Sequence, residues 1–202
     1  MAFPDHQFSS KDVEILQERT VYKGFFRMQE IQLRHRLFDG GWSQVVEREL
    51  MRRGEAVGVI PYDPENRLIG LVEQFRVGAI ADGDHWLFEL VAGMRDGSEP
   101  AEQAVERELL EESGLVAREL HEICDCWVSP GGTDEKVRLF CAIADLSGAA
   151  GVFGMPDEHE DILFHVLPEA DVYRALEQGK CNNFATVVAL QWLQLNQEKL
   201  IG

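Results

Sequence analysis

Apolar and polar residues alternate in short runs from residue 12 to about 50, through "VEILQERTVYKGFFRMQEIQLRHRLF" and "SQVVERELM", with "DGG" at 39–41 as a turn signal. This period of two predicts an antiparallel N-terminal sheet. From Ala56 the apolar runs lengthen into "AVGVIPYD", "RLIGLVEQFRV" and "WLFELVAG", the pattern of deeply buried strands, and predict the main core. A helical pattern follows from about Glu99 to Ser113, with Ser98 as N-cap, Pro100 in the first turn and Gly114 as the stop. Strand-like runs at about 119–128 and 136–144 flank the loop "SPGGTDE" as a hairpin, and the glycine-containing "GVFGMPDEHED" leads into the strand "ILFHVL". Two helices close the chain, "PEADVYRALEQG" and "NNFATVVALQWLQLNQEKL". The second carries Phe184, Val187, Val188, Trp192 and Leu195 at helical spacing.

The first helix carries an unusual face. At about 100° per residue, Ala101, Ala104, Val105 and Leu109 cover one sector, and Glu108 and Glu112 fall inside it. Arg107 and Glu111 lie at one edge, while Glu102, Gln103, Glu106 and Leu110 point elsewhere. Glutamate-rich helix faces are ordinarily solvated, but this pair is turned toward the body of the protein. Two carboxylates brought together in a partly dry site cannot both ionise cheaply, and a divalent cation removes that penalty. An all-oxygen set with no nearby histidine or cysteine suits magnesium, or manganese as a substitute, better than zinc. Magnesium held by a few carboxylates, with waters left over, is the arrangement that serves phosphoryl substrates.

Composition narrows the picture. A chain of 202 residues and 22.9 kDa fits one large domain, or one domain with a small extra layer. Cys124, Cys126, Cys141 and Cys181 show no C-x-x-C pair and no zinc-like spacing, so free thiols are expected. The first thirty residues are too polar for a signal peptide and no later stretch approaches a membrane span, which predicts a cytoplasmic, reducing location with no membrane partner. A net charge of −17 repels nucleic acid and other polyanions. An anionic ligand therefore needs local arginines or metal ions.

Residues 93–115, "GMRDGSEPAEQAVERELLEESGL", resemble the Nudix box, in which Gly is followed after five residues by Glu and after seven more by Arg-Glu-apolar-x-Glu-Glu-x-Gly-apolar. Gly93, Glu99, Arg107, Glu108, Leu109, Glu111, Glu112, Gly114 and Leu115 fill every specified position. The resemblance implies an α/β fold, a Nudix-type α/β/α sandwich around a mixed sheet, here with the N-terminal antiparallel sheet at 1–54 and the hydrolase domain at 55–202. It implies hydrolysis of a nucleoside diphosphate linked to another group. It also implies Glu108 and Glu112 as metal ligands, Glu111 as a weaker ligand at the edge of the face, and Arg107 with Glu99 orienting them.

Further segments resemble the ADP-ribose pyrophosphatases within that family: "KGFF" at 23–26, "EQFR" at 73–76, "ELVAGM" at 89–94, "SPGGTDE" at 129–135 and "DEHED" at 157–161, with Pro130 fifteen residues beyond the box. This likeness implies a metal contact from the Ala92 carbonyl and a homodimer in which Phe25 and Phe26 of the partner subunit lie near the adenine. Arg48, Glu49, Arg53, Arg76 and Met94 become substrate contacts. The backbone of Ser129, Pro130 and Gly131 and the carboxylate of Glu135 surround the terminal ribose. Glu160 ligates a metal that arrives with substrate, and Glu158 deprotonates the attacking water, with a box glutamate as the alternative base. His159 receives no role. The implied reaction is magnesium-dependent cleavage of ADP-ribose to AMP and ribose 5-phosphate. Two other readings compete: the same chemistry on another sugar nucleotide such as GDP-mannose, and an ADP-ribose sensor that does not hydrolyse.

Overall fold

The computed structural model describes residues 3–155 and 159–200. The chain forms two compact units, one made of residues up to Gly54 joined by Trp127–Glu135, the other of Glu55–Cys126 and the chain from Lys136 onward.

In the first unit, β1 (Val13–Lys23), β2 (Arg27–His35) and β3 (Val46–Arg52) form a three-stranded antiparallel sheet in chain order. The "DGG" turn holds, with Gly40 and Gly41 both at positive φ, where a side chain would be strained. Phe25 and Phe26 lie in the bend between β1 and β2, not within a strand run, and the bend is closed by Gly24 N–H donating to the Phe26 carbonyl at 2.9 Å. The loop at 129–135 bonds along β3: Met51 N–H donates to Gly132 O at 2.9 Å, and Asp134 N–H to Met51 O at 3.3 Å. Asp134 then accepts from Arg53 N–H at 2.7 Å and Gly54 N–H at 3.3 Å, fixing the backbone where β3 ends.

The second unit is a layered α/β domain. Its strands are β4 (Glu55–Asp63), β5 (Leu68–Phe75), β6 (Trp86–Glu89), β7 (Val91–Met94), β8 (Glu119–Trp127), β9 (Lys136–Ile143), β10 (Gly151–Phe153) and β11 (Ile162–Pro168). They make one mixed sheet in the order β10-β11-β5-β4-β9-β8, with β4 and β9 parallel and the pairs β10–β11, β11–β5 and β5–β4 antiparallel. As expected, β8 and β9 are adjacent across the "SPGGTDE" loop. Helix α1 (Ala101–Ser113) packs on one face, over Val57, Val59, Val72, Val91, Phe140 and Phe164. Helices α2 (Glu169–Glu177) and α3 (Phe184–Leu200) cover the other, over Ile60, Tyr62, Ile69, Leu71, Leu139 and Cys141. These two apolar layers make the α/β/α sandwich. Among the described residues no helix is long and apolar enough to cross a membrane, and all four cysteines are free thiols.

Three local expectations are corrected. The run "WLFELVAG" is two strands, because β4 and β5 pair only at Tyr62–Ile69 and Asp63–Leu68 and then diverge; β6 lines β5 while β7 lines β4. Ser98 is not the N-cap of α1. Pro100 holds that position, its carbonyl accepting from Gln103 and Ala104 N–H at 3.1 Å, because a turn from Asp96 to Glu99 brings the chain in first. On α3 the buried residues are Thr186, Ala189, Leu190 and Leu193, while Phe184 and Leu195 are exposed. The first half of that helix, "FATVVAL", is apolar nearly all round, so spacing alone does not select its inner face there.

The turn that closes β4 onto β5 depends on one buried acid. Asp63 accepts from Asn66 N–H at 3.0 Å, Asn66 Nδ2 at 2.9 Å and Leu146 N–H at 3.3 Å. Burial pushes its carboxyl up, but these donors together outweigh burial and hold it below the usual carboxylate range. The stabilisation it provides is therefore complete above the ordinary aspartate pKa and is lost as pH falls through the lower, folded-state value. Asp63→Ala is expected to lower unfolding free energy by about 1–3 kcal/mol at pH 7, with the deficit shrinking in acid; denaturant melts at pH 7 and pH 3 check both parts.

Candidate active site

Helix α1 brings its acids to the sheet as the sequence angles require. Its buried residues are Ala101, Ala104, Val105, Glu108, Leu109, Glu112 and Ser113, while Leu110 faces solvent. Glu112 is 2% exposed and Glu108 9%. Both meet β7: Ala92 N–H donates to Glu112 Oε2 at 3.2 Å, and the Glu108 carboxylate fills the space where a Cβ on Gly93 would stand. The box glycine is thus a steric requirement of the neighbouring carboxylate, not of backbone conformation.

Arg107 ties the box together. Its guanidinium donates to Glu99 at 3.2 and 3.3 Å, to Glu108 Oε1 at 2.7 Å, to Glu111 Oε2 at 3.2 Å and to the Met94 carbonyl at 3.3 Å. Such a planar fork can serve several oxygens at once. The arginine hydrogen bond lowers the Glu99 carboxyl below its usual value. Glu108 goes the other way, raised by burial against the opposing pull of Arg107. Glu112 is pushed up to about 8, mainly by burial, with the charges of Glu108 and Glu160 adding to it and the Ala92 hydrogen bond and Arg76 opposing it.

Glu160 joins this group from the segment after β10, its Oε2 accepting from Met155 N–H at 3.2 Å. Gly154, at φ +110°, lets the backbone of that segment pass close to Glu160. Glu158, read as the general base, lies outside the described residues. Arg76 enters from the end of β5, its Nε donating to buried Glu89 at 2.7 Å. The second unit therefore brings together Ala92, Met94, Glu99, Arg107, Glu108, Glu111, Glu112, Glu160 and Arg76. Among the described residues no three or more His, Cys, Asp or Glu side chains are grouped so that they alone could hold a metal ion. An open oxygen set of two buried carboxylates, held by a fork and cradled at Gly93, nevertheless fits a hard cation that keeps water ligands.

The remaining predicted residues fall in the first unit. Phe25 is 94% exposed and meets Phe26 edge-on, centroids 4.9 Å apart. The Arg53 guanidinium stands 4.8 Å over the Phe26 ring and its Nε is 3.3 Å from Glu135 Oε1. Arg48 and Glu49 are exposed on β3 and join neither contact. Ser129, Pro130 and Gly131 are exposed, with the Ser129 carbonyl accepting from Gly132 and Thr133 N–H. A cavity of about 370 Å³ is lined by Lys23, Phe25, Arg27, Arg52, Arg53 and Asp134. This basic lining contrasts with the net charge of −17.

Sequence reading missed Arg52, which bonds Asp134, Glu18 and Gln29. It also missed Gln74, Glu89 and Asn183. Gln74 and Glu89 are polar residues inside apolar strand runs and are buried, a signal that could have found them. Asn183 precedes α3 and accepts from Thr186 N–H at 3.2 Å, an N-cap pattern visible in "NNFAT".

A mixed sheet between two helical layers, with a buried glutamate pair on the first helix bound to the strand before it, defines a class. The chain belongs to the NUDIX domain family, which matches residues 52–198. It is 43% identical over 197 residues to the ADP-ribose pyrophosphatase of Haemophilus influenzae, covering 96% of this chain and 91% of that protein. It is 40% identical over 194 residues to the ADP-ribose pyrophosphatase of Escherichia coli strain K12, covering 96% and 93%. A solved structure described as an ADP compounds hydrolase shares the fold, with a TM-score of 0.73 at 23% identity, covering 97% of this chain and all of that one.

Gly93→Ala tests the cradle. The added methyl would displace the Glu108 carboxylate while sparing the apolar core. Magnesium is expected to raise the melting temperature of the parent protein but not of the variant, whose melting point in EDTA stays within a few degrees. An equal magnesium shift in both would contradict the cradle.

Proposed function

We propose that the protein is a magnesium-dependent ADP-ribose pyrophosphatase, hydrolysing the diphosphate to AMP and ribose 5-phosphate. The observation that carries this reading is the buried Glu108–Glu112 pair facing Ala92 and Gly93; the ADP-ribose pyrophosphatase relatives spanning nearly the whole chain supply the substrate. Magnesium, or manganese in its place, would be held by Glu108 and Glu112 with Glu160 and the Ala92 carbonyl, and when bound neutralises phosphate charge and acidifies a water ligand.

The chain's own groups do the rest. Arg107, anchored by Glu99, holds Glu108 and Glu111 in place so that neither carboxylate swings into water. Glu111 is a weaker ligand, since it is already paired at the rim. Arg76 binds a phosphate oxygen through the terminal nitrogens that its Glu89 bond leaves over. Glu158 takes the proton of the attacking water, and Met94 lies against the substrate. Phe25 and Phe26 stack on adenine, Arg48, Glu49 and Arg53 bind the nucleotide, and Ser129, Pro130, Gly131 and Glu135 hold the terminal ribose. Of these, Phe25 and Phe26 come from the partner subunit of a homodimer. The exposed apolar side chains of Ile15, Leu16, Val21 and Tyr22 on β1 support such a pairing surface. The enzyme works in the cytoplasm on a small nucleotide sugar, with no nucleic-acid partner.

The test is incubation with ADP-ribose, GDP-mannose or NADH, with magnesium or EDTA, and chromatography of the products. ADP-ribose with magnesium is expected to yield AMP and ribose 5-phosphate, and Glu112→Gln is expected to lose about a thousandfold in kcat while keeping its circular dichroism spectrum. Release of GMP from GDP-mannose alone would move the substrate assignment. Binding of ADP-ribose without turnover would replace the enzyme with a sensor.

A further inference from the structure

Arg76 is built into a chain of side chains that reaches the far layer of the sandwich. Glu89 is 4% exposed, at the end of β6, where β5 and β4 have diverged. Its Oε2 accepts from Arg76 Nε at 2.7 Å, and its Oε1 accepts from Asn183 Nδ2 at 2.6 Å. Each carboxylate oxygen therefore has its own donor. Asn183 is itself fixed, because its Oδ1 accepts from Thr186 N–H at 3.2 Å at the start of α3. Thr186 Oγ1 in turn accepts from Leu90 N–H at 3.0 Å, the residue next to Glu89. The Arg76 backbone is also held, its N–H donating to His85 O at 2.8 Å.

A buried carboxylate costs stability unless it is paired. An acid placed in an apolar strand run and matched at both oxygens is an expensive way merely to fill space. What the arrangement does is aim an arginine: among the described residues the guanidinium is bonded through Nε, and its half-exposed outer edge is left for an anion near Glu112, whose carboxyl feels the Arg76 charge. Rigid presentation lowers the ordering cost that a long side chain pays when it binds.

We propose that Glu89 and Asn183 are positioning residues which lock Arg76 in its anion-binding geometry and so couple the start of α3 to substrate affinity. The role in catalysis rests on the pyrophosphatase reading above; the lock itself does not. Glu89→Gln is the discriminating variant, since its amide puts an oxygen opposite only one of the two donors and an NH2 group opposite the other, and it carries no charge.

Two measurements judge it. In the ligand-free protein the Arg76 Nε–H proton, assigned by its loss in Arg76→Ala, is expected to exchange slowly with water in NMR spectra and to exchange rapidly in Glu89→Gln. In steady-state assays with ADP-ribose, Glu89→Gln and Asn183→Ala are each expected to raise KM roughly tenfold with kcat changed less than about threefold. In an Arg76→Ala background, Glu89→Gln should add little. An unchanged Nε–H signal in Glu89→Gln, or the same KM penalty with and without Arg76, would overturn the proposal. If the parent protein leaves ADP-ribose intact, the pyrophosphatase reading fails while the lock is still decided by the Nε–H signal.

Discussion

Two carboxylates lie four residues apart on α1, buried against the strand that precedes it, and the rest of the site follows from that constraint. Like charges at this spacing weaken a helix in water and cost more when desolvated. They persist because each has a specific counterweight: Ala92 N–H for Glu112, and one prong of Arg107 for Glu108. Burial nevertheless raises both carboxyls, Glu112 to about 8. The helix therefore presents an incomplete site whose remaining imbalance the proposed divalent cation would correct. Gly93 belongs to the same constraint, since any side chain there would occupy the position of the Glu108 carboxylate.

The sheet is shaped to make room for this. Divergence of β4 from β5 opens the gap that β6 and β7 line, which brings Glu89 on one side and Ala92 and Gly93 on the other to the same end of the sandwich. Arg76 arrives from β5, and Glu160 from the segment leading to β11. The second unit thus sets buried carboxylates on α1 and places Arg76, braced by Glu89, beside them. The first unit follows the opposite policy, with Lys23, Arg27, Arg52 and Arg53 lining one cavity. In a protein with a net charge of −17, such local reversal is what an anionic ligand requires.

Much of this was legible in the residues because it is local. The inward face of α1 follows from helical angles, and the buried set contains the four apolar residues and two glutamates that those angles select. The N-terminal sheet and the hairpin around 129–135 follow from alternation and turn chemistry. What was illegible depends on tertiary partners. The split of "WLFELVAG" is decided by which neighbouring strand each half meets. The partner of Glu89 lies 94 residues away at Asn183, beyond any local pattern. Ser98 failed as a cap because Glu99 is engaged by Arg107 and the chain turns through Asp96 first. The inner face of α3 was hidden by a surplus of apolar residues.

The most direct test of the central claim is manganese binding followed by electron paramagnetic resonance, in which only the free ion contributes the sharp six-line signal. The parent protein is predicted to remove that signal as it is titrated in, while Glu108→Gln and Glu112→Gln each bind the ion at least about tenfold more weakly with unchanged circular dichroism. Equal affinity in all three proteins would contradict the assignment of the buried pair as the cation site.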